Sequence, residues 1–337
     1  MLKLRRTKHR ADAHRSPVPG PRSPNASPVP GPRSPTEGRS RATLDELLAL
    51  RYRAPRLPAA PGACQLRAGA HLSRIRARGV DYAESRIYQP GDDIRVMDWR
   101  VTARTGRPHT KLFSEERERS LMLLLDMNPA MRFGTRQRFK SVQALRAAAL
   151  AAWMAVRGGD RVGALAFGRV QAVVHPRGGP RGALALLGAM LRWDQAPDDA
   201  GEEPLSAALR RCLQLAHGGS RVLLLSDGLS CDEAARPLLM RLRSHVEVTA
   251  LNIVDALESA APAAGVYSFD IDHQRRRVDL TGSAARDEFQ QALGRGQREL
   301  AALCTRCGVP LQRIDTSADP ANALLALLGR PRAVGRG

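Results

Sequence analysis

Two aspartates each follow an apolar run that is typical of a buried parallel strand. Asp126 ends the run Leu121–Asp126, and Asp227 directly follows the run Arg221–Ser226. Ligands of open α/β sheets bind in the crevice at the carboxyl ends of the strands, so we expect both carboxylates in that crevice. They repel each other there unless a cation, an arginine or hydrogen bonds compensate them. The alternative is that each acid only caps the helix that follows it.

The elements that must position these acids alternate between strands and helices from Ser120 onwards. Short glycine-bounded runs at 161–167 and 170–175 predict a tight hairpin, and polar residues at 266–280 predict another. The pattern predicts a mostly parallel α/β sheet with an antiparallel edge strand. The remaining strands are predicted at 121–126, 221–226, 246–254 and 309–315, and the helices at 137–156, 181–192, 204–216, 232–244, 284–307 and 319–328.

The chain upstream of this sheet has a different character. The nonapeptide SPVPGPRSP occurs unchanged at 16–24 and at 27–35, and proline at this density does not build a core. We expect disordered tails at 1–42 and 331–337, and one large α/β domain over 119–330. A helix that starts near Thr43 and a small β-rich element fill 43–118, and we expect 55–118 not to form a separate folded domain.

Composition favours a soluble globular chain with anionic partners. The 337 residues are 43% hydrophobic, and the formal net charge is +20. Such a charge favours nucleic acid, lipid headgroups or an acidic protein face. Aromatic residues make up only 4%, and no basic run is interleaved with them, so we expect no nucleic-acid partner. No run reaches the roughly 18–20 apolar residues of a membrane span, and no signal peptide is visible. We therefore expect a cytoplasmic protein with at most peripheral membrane contact.

The common enzyme motifs are absent from the sequence. It contains no P-loop, no G-x-S-x-G nucleophile turn and no G-x-G-x-x-G loop after a predicted strand. The five cysteines are an odd number, which favours reduced thiols, and Cys304 and Cys307 lie in a helical pattern with no second pair to complete a zinc site. We predict no catalytic residue.

Three segments of the predicted sheet resemble von Willebrand factor A domains. They are the loop 126–131, the strand 160–167 and the acidic turn 225–228. Upstream, the run from Arg86 to Arg104 resembles the signature of a bacterial family, domain of unknown function 58, in which such a segment precedes a von Willebrand factor A-like domain. The residues that carry this resemblance, called the signature segment below, are Tyr88, Gly91, Asp92, Asp93, Arg95, Asp98, Trp99 and Arg104.

The resemblance covers roughly 70–330 and implies a von Willebrand factor A-like sheet with helices on both faces. In this sheet we expect the strands 121–126 and 221–226 to be adjacent and central, and the strand 170–175 to lie at an edge. It implies no established catalytic activity. Members are often encoded beside MoxR-type AAA ATPases, which implies a protein partner of that type. Many members carry N-terminal transmembrane helices, whereas this chain has a basic, proline-rich segment in that place.

The resemblance also implies a degenerate metal site. In the wider class, Mg²⁺ is bound by an Asp, two hydroxyls of the first loop, a Thr of a second loop and an Asp of a third. Asp126 and Asp227 match, Asn128 offers only a carbonyl oxygen, and Ala130 offers no ligand. The predicted second loop, 175–182, contains neither Thr nor Ser. We expect weak Mg²⁺ binding or none, with Asp126, Asn128 and Asp227 as the candidate ligands.

The same second loop contains two arginines, Arg177 and Arg181. A guanidinium beside Asp126 and Asp227 would neutralise them or bind a partner's carboxylate directly. We therefore predict that an acidic partner surface docks over a crevice formed by Asp126, Asn128, Arg177, Arg181 and Asp227.

The signature segment has two interpretations. In the structural one, Asp92, Asp93 and Asp98 pair with Arg86, Arg95 and Arg104, and Trp99 anchors the segment in a core. In the other, the segment contacts a partner. The function predicted from these observations is a non-enzymatic adaptor that acts with a MoxR-type AAA ATPase. The alternatives are a metal-dependent hydrolase that uses the acid cluster and a protein that binds nucleic acid through its basic surface.

Overall fold

The computed structural model describes residues 5–6, 40–55, 80–115, 119–197, 201–217, 219–271 and 274–329. The predicted disordered tails lie outside these residues except at 5–6 and 40–42. The described strands are β1 (Arg5–Arg6), β2 (Val80–Ile87), β3 (His109–Glu115), β4 (Ser120–Met127), β5 (Arg161–Gly168), β6 (Ala172–Arg177), β7 (Ser220–Ser226), β8 (Glu247–Val254), β9 (Val266–Ile271), β10 (Gln274–Asp279) and β11 (Leu311–Asp315).

The described α-helices connect or precede these strands, and two short 3₁₀ turns span Ile94–Val96 and Pro129–Arg132. The helices are α1 (Leu44–Arg53), α2 (Trp99–Thr105), α3 (Lys140–Arg157), α4 (Gly179–Gln195), α5 (Leu205–Leu215), α6 (Ala235–His245), α7 (Ala256–Ser259), α8 (Ser283–Leu293), α9 (Arg295–Cys307) and α10 (Ala321–Leu328).

A six-stranded sheet in the order β11-β8-β7-β4-β5-β6 forms the centre of the larger unit. All neighbouring pairs are parallel except β5 and β6, which are antiparallel. The predicted mostly parallel α/β sheet is therefore confirmed, with β4 and β7 as adjacent central strands and β6 at the edge. The hairpin β5–β6 turns at Gly168, where a φ of +102° suits a residue without a side chain.

Alternate residues of β4 pack into two different cores, as expected for a strand covered on both faces. Leu121, Leu123 and Leu125 contact the layer formed by α1, α3, α4 and α10. Met122 and Leu124 belong to the other core, which contains residues of α5, α6 and α9. Helices therefore cover both faces of the sheet, as the sequence predicted.

Helix α1 belongs to the sheet unit, whereas the sequence analysis grouped it with the segment that follows it. The chain divides into two compact units, the first of Met1–Leu57 with Ser120–Arg330 and the second of Pro58–Arg119 with Pro331–Gly337. Leu47 and Leu50 of α1 are buried in the core of the first unit. In addition, the Trp153 indole donates a hydrogen bond to the Leu47 carbonyl over 3.1 Å. These long-range contacts, which no local pattern encodes, hold α1 on α3.

The second unit contains the hairpin of β2 and β3. Its strands β2 and β3 pair antiparallel with each other and are interrupted by an irregularity between Tyr82 and Glu84. An isolated bridge joins Met97 to Thr110 of β3 and so ties the signature segment to this hairpin. Within the described residues, β2 and β3 therefore form a sheet separate from the main one.

One predicted helix, 284–307, is two helices in the structure. Helix α8 ends and α9 begins at Gly294, whose φ of −78° and ψ of 5° close α8. Near this break, the Gln290 side chain donates a hydrogen bond to the Glu258 carbonyl over 2.6 Å. The predicted polar hairpin at 266–280 is present as β9 and β10, and β1 pairs with β9.

None of the helices described is both long enough and apolar enough to cross a membrane.

The placement of α1 generates a stability prediction. Leu47→Ala leaves a cavity in the core of the sheet unit and is expected to lower its free energy of unfolding by about 2–4 kcal/mol, as buried leucines do. Leu44→Ala on the same helix is the matched control, because Leu44 is 46% exposed and Leu47 is 0% exposed. Urea denaturation of both variants measures the difference. Equal, small losses would show that α1 does not contribute to the core.

Candidate functional site

The two predicted acids lie at the same end of the sheet, where the parallel strands have their carboxyl ends. Leu125 of β4 is paired with Leu225 of β7. Asp126 is therefore the first residue after this pair on β4, and Asp227 is the second residue after it, directly beyond the end of β7. Both side chains are buried, and the charge of Asp227 acts on Asp126. The prediction that the acids meet at the carboxyl ends of adjacent strands is therefore confirmed.

Asp126 accepts hydrogen bonds at both carboxylate oxygens. The hydroxyls of Ser226 and Ser230 donate to Oδ2 over 2.6 and 2.8 Å. The backbone N–H and the side-chain amide of Asn128 donate to Oδ1 over 3.0 and 2.8 Å. Four protein donors thus occupy the positions at which a carboxylate accepts hydrogen bonds.

Burial, and then the repulsion of Asp227, raises the pKa of Asp126 to about 6, although the hydroxyls of Ser226 and Ser230 and the backbone N–H of Asn128 act in the opposite direction. Desolvation of a carboxylate at this depth outweighs the hydrogen bonds that favour its charged form. The Asp126 carboxyl therefore titrates in the folded protein near pH 6.

The cation beside Asp227 is a lysine. Nζ of Lys140, the first residue of α3, lies 2.6 Å from Oδ2 of Asp227 and 2.7 Å from Oε1 of Glu258. Lys140 is only 1% exposed, and its ammonium lies 5.3 Å from the centre of the Phe133 ring. Burial acts to lower the pKa of Lys140, but the attraction of Asp227 and Glu258 raises it above its ordinary value, so the side chain is charged.

Glu258 is held by the strand end next to β7. Asp255 follows β8 and caps α7, and Glu258 accepts the Asp255 backbone N–H at Oε2 over 2.8 Å, which completes a capping box. Burial raises the pKa of Glu258, and Lys140 acts against that shift. One carboxylate therefore both caps a helix and binds the buried ammonium.

Asn128 connects the end of β4 to the loop between α4 and α5. Its carbonyl oxygen Oδ1 accepts the Glu203 backbone N–H over 2.8 Å, and its amide nitrogen donates to the Glu203 carbonyl over 3.1 Å. The Glu203 carboxylate accepts the Gly168 N–H over 3.0 Å and pairs with Arg211. The second loop at these strand ends is therefore the one that contains Glu203, and not 175–182 as predicted.

The predicted docking crevice does not form. Arg177 and Arg181 lie where the parallel strands begin, whereas Asp126 and Asp227 lie where these strands end. Arg177 is paired with Val162 near the start of β5, whereas Asp126 is paired with Phe167 near its end. Five residues of strand separate the two rows, or about 16 Å. Strand β6 runs antiparallel, so its carboxyl end, and the start of α4 that contains Arg181, lie at the amino ends of the parallel strands.

The residues present do not fit a Mg²⁺ ion. Mg²⁺ takes oxygen ligands in near-octahedral geometry. Here Asn128 presents its amide nitrogen to Asp126, and its only side-chain oxygen accepts the Glu203 N–H. Oδ2 of Asp227 binds the Lys140 ammonium. Among the described residues no cluster of three His, Cys, Asp or Glu has metal-binding geometry.

The sequence reasoning missed five residues of this cluster, which are Lys140, Glu203, Ser226, Ser230 and Glu258. One signal was available: lysine is rare in this chain, with four lysines among 53 basic residues. Aspartates also follow β8 and end β11, at Asp255 and Asp315, and the rule applied to the first two acids would have found them.

The signature segment uses its acids for internal hydrogen bonds. Asp92 pairs with Arg86 over 2.6 Å, as predicted, and the backbone N–H of Gln89, with Arg86, holds its pKa below the usual range. Asp98 accepts from the Ser85 hydroxyl over 2.6 Å and from the Val101 N–H over 3.1 Å, so it caps α2.

The other predicted contacts of the segment differ. Asp93 accepts the backbone N–H of Arg95, and not its guanidinium, and caps the 3₁₀ turn. The hydrogen bonds described for Asp98 come from Ser85 and Val101, and not from Arg104. Trp99 is 65% exposed, so the prediction that it anchors a core is wrong. Asp98 caps α2, so Trp99 is the first residue of that helix.

A sequence family described as "Protein of unknown function DUF58" matches residues 84–299. The chain belongs to this family. It is also 33% identical over 253 residues to the uncharacterised proteins Rv1480 of Mycobacterium tuberculosis and Mb1516 of Mycobacterium bovis, and this match covers 74% of the chain and 79% of each relative. The family match begins at residue 84, within β2, and so includes the signature segment and both acids.

Solved structures similar to this family member include two bacterial proteins. BatB from Bacteroides thetaiotaomicron is 12% identical, with 61% of this chain and 94% of that chain covered and a TM-score of 0.38. A von Willebrand factor type A protein from Catenulispora acidiphila is 12% identical, with 66% and 44% covered and a TM-score of 0.36. Because both TM-scores are below 0.5, membership rests on the sequence match.

Two glycines allow the loop after β7 to touch helix α9. Gly228 has a φ of +89°, and a Cβ there would lie 2.1 Å from the Gly296 carbonyl oxygen. A Cβ on Gly296 would lie 2.8 Å from the Asp227 carbonyl oxygen. Direct contact between the two backbones therefore holds Asp227 against α9.

This contact predicts the effect of a methyl group. Gly228→Ala adds a clash to the conformational cost of a positive φ, so we expect it to lose about 1–3 kcal/mol more than the control. Gly159→Ala is the matched control, because Gly159 has a φ of +84° and open space around its Cβ position. It is expected to cost about 1–2 kcal/mol. Chemical denaturation compares the two, and equal losses would contradict the close approach.

The raised pKa of Asp126 predicts a pH dependence. Its value rises from 3.8 to about 6 on folding, so the folded state binds the proton more tightly. This contribution is fully present below about pH 4 and is lost as the pH rises through about 6. The free energy of unfolding of wild type should therefore fall over this range relative to Asp126→Asn, which cannot titrate. Parallel pH profiles of the two proteins, measured by urea denaturation, would contradict this assignment.

Proposed function

We propose that this protein is a non-enzymatic, cytoplasmic interaction module that binds an acidic surface of a partner protein through its signature segment. The partner that the family resemblance favours is a MoxR-type AAA ATPase. The observation that carries the proposal is the exposure of Trp99, an aromatic side chain on the short helix α2 that is 65% accessible. Tryptophan and arginine are the residues that most often dominate the energy of protein interfaces.

The charges around Trp99 support an acidic partner. Arg95, Arg100 and Arg104 are exposed, whereas Asp92 and Asp98 are engaged in internal hydrogen bonds. The segment thus directs guanidinium groups outwards and uses its carboxylates to hold its own fold. Exposed Ile87 and Ile94 add apolar surface between β2 and α2. An apolar centre with a cationic surround is complementary to an acidic protein face.

The strand-end cluster supports a role without catalysis. Asp126, Asp227 and Lys140 are buried and bound to protein groups, so they are not available to a substrate. The cytoplasmic part of the proposal is supported by the cysteines, because the four that the structure describes are free thiols.

Trp99→Ala is expected to weaken binding of the full chain to a MoxR-type ATPase of the same organism by about 30-fold or more, the effect of removing a hot-spot residue. Because the side chain is exposed, the thermal midpoint should not change. Calorimetric titration of the purified proteins measures the affinity, and a thermal melt measures the midpoint.

Two controls accompany this experiment. Tyr52→Ala removes another exposed aromatic, 86% accessible and on α1 of the other unit, and should leave the affinity within about twofold. The double variant Arg177→Glu, Arg181→Glu should also bind normally, since these arginines lie away from the signature segment in sequence and at the amino edge of the main sheet. Normal binding by Trp99→Ala would reject this docking surface, and no binding by wild type would reject the ATPase as partner.

A further inference from the structure

The carboxyl edge of the main sheet collects more negative charge than its hydrogen bonds compensate. Asp126, Asp227 and Glu258 are buried together, and each acts electrostatically on another of the three. The donors described above satisfy Asp126, but Asp227 and Glu258 each keep one oxygen for a cation. Buried carboxylates of this kind need a counter-charge.

Lys140 provides that counter-charge from within the chain. Its ammonium has three N–H donors. Asp227 accepts one over 2.6 Å, Glu258 accepts another over 2.7 Å, and the Phe133 ring lies 5.3 Å away. Two carboxylate oxygens from different strand ends are thus joined by one buried positive charge, which is the arrangement that a bound divalent cation produces.

We propose that Lys140 is a tethered replacement for the divalent cation of von Willebrand factor A-like folds, and that it closes this site both to metal ions and to a partner's carboxylate. The proposal has a second half. Without the Lys140 side chain, the acid cluster becomes a binding site for a divalent cation. The Lys140 proposal is independent of the docking proposal, because Lys140 and the signature segment belong to different units.

The choice of lysine supports this role. The chain uses arginine for 49 of its 53 basic residues, with lysine only at positions 3, 8, 111 and 140. An ammonium is a compact point charge on a flexible stem, whereas a guanidinium is a planar fork. The Lys140 ammonium lies 2.6 and 2.7 Å from two carboxylate oxygens and beside an aromatic ring. In this position an ammonium is closer in shape to a metal ion than a guanidinium is.

The position of Lys140 in α3 also supports the proposed role. A positive side chain at the first residue of a helix is opposed by the helix dipole, which favours negative charge there. Here the two carboxylates that the ammonium binds offset that cost. The helix has no side-chain N-cap, and its first turn contains no acid. Asp227 and Glu258 provide the negative charge from other elements.

The test is a calorimetric titration of the full chain, with Mn²⁺ and with Mg²⁺ in separate experiments. Wild type is expected to show no binding tighter than millimolar. Lys140→Ala leaves the carboxylates of Asp227 and Glu258 without their shared cation. It is expected to bind one Mn²⁺ with a dissociation constant of roughly 10⁻⁵–10⁻⁴ M, within the range of Ca²⁺ sites built from oxygen ligands. The double variant Lys140→Ala, Asp227→Asn should lose that binding, because it removes a ligand charge.

A second measurement keeps the test decisive if Lys140→Ala folds poorly. Millimolar Mn²⁺ should then raise its thermal midpoint and leave that of wild type unchanged, since a ligand that binds only the folded state stabilises it. Lys111→Ala is the matched control and should respond as wild type does. Micromolar Mn²⁺ binding by wild type would overturn the proposal, as would a Lys140→Ala variant that neither binds Mn²⁺ nor is stabilised by it.

Discussion

Four neighbouring parallel strands, β11, β8, β7 and β4, place an aspartate each at the same edge of the sheet, at Asp315, Asp255, Asp227 and Asp126. Parallel strands all end on the same side of the sheet, so the residues that follow these four strands lie close together. The neutralisation of this edge is the constraint on which the rest of the domain depends. Hydroxyls and amides satisfy Asp126 and Asp255, and the buried ammonium of Lys140 satisfies Asp227 together with Glu258. Removal of one partner from such a buried pair leaves a charge with no compensation, which is strongly destabilising.

The same edge is closed by the backbone as well as by charge. Gly228 and Gly296 bring the loop after β7 against α9, and the amide of Asn128 holds the loop at Glu203 against the end of β4. In an open α/β sheet this edge is the usual place for a ligand. In this family member, its polar groups bind one another, so the crevice is part of the protein interior.

The second unit uses its charges in the opposite way. Asp92 and Asp98 hold the turn and cap α2, which directs Trp99 and the neighbouring arginines outwards. The most distinctive segment of the sequence is thus built on internal carboxylate contacts and presents guanidinium groups and an aromatic ring to its surroundings. This distribution of charge is the basis of the proposed docking surface.

The sequence by itself determined the α/β class, the adjacency of β4 and β7, the hairpin of β5 and β6, and the family. Apolar runs, turn glycines and the signature motif are local features, and the period of a strand or helix follows from its own residues. The pairing of Asp92 with Arg86 is local too, and it was predicted correctly. The tertiary structure alone decided that Lys140 is buried, that Trp99 is exposed, that α1 packs on α3, and that Arg177 lies at the far edge from Asp126. These outcomes depend on which side chains distant elements bring to a position, and neither residue type nor spacing within one segment contains that information.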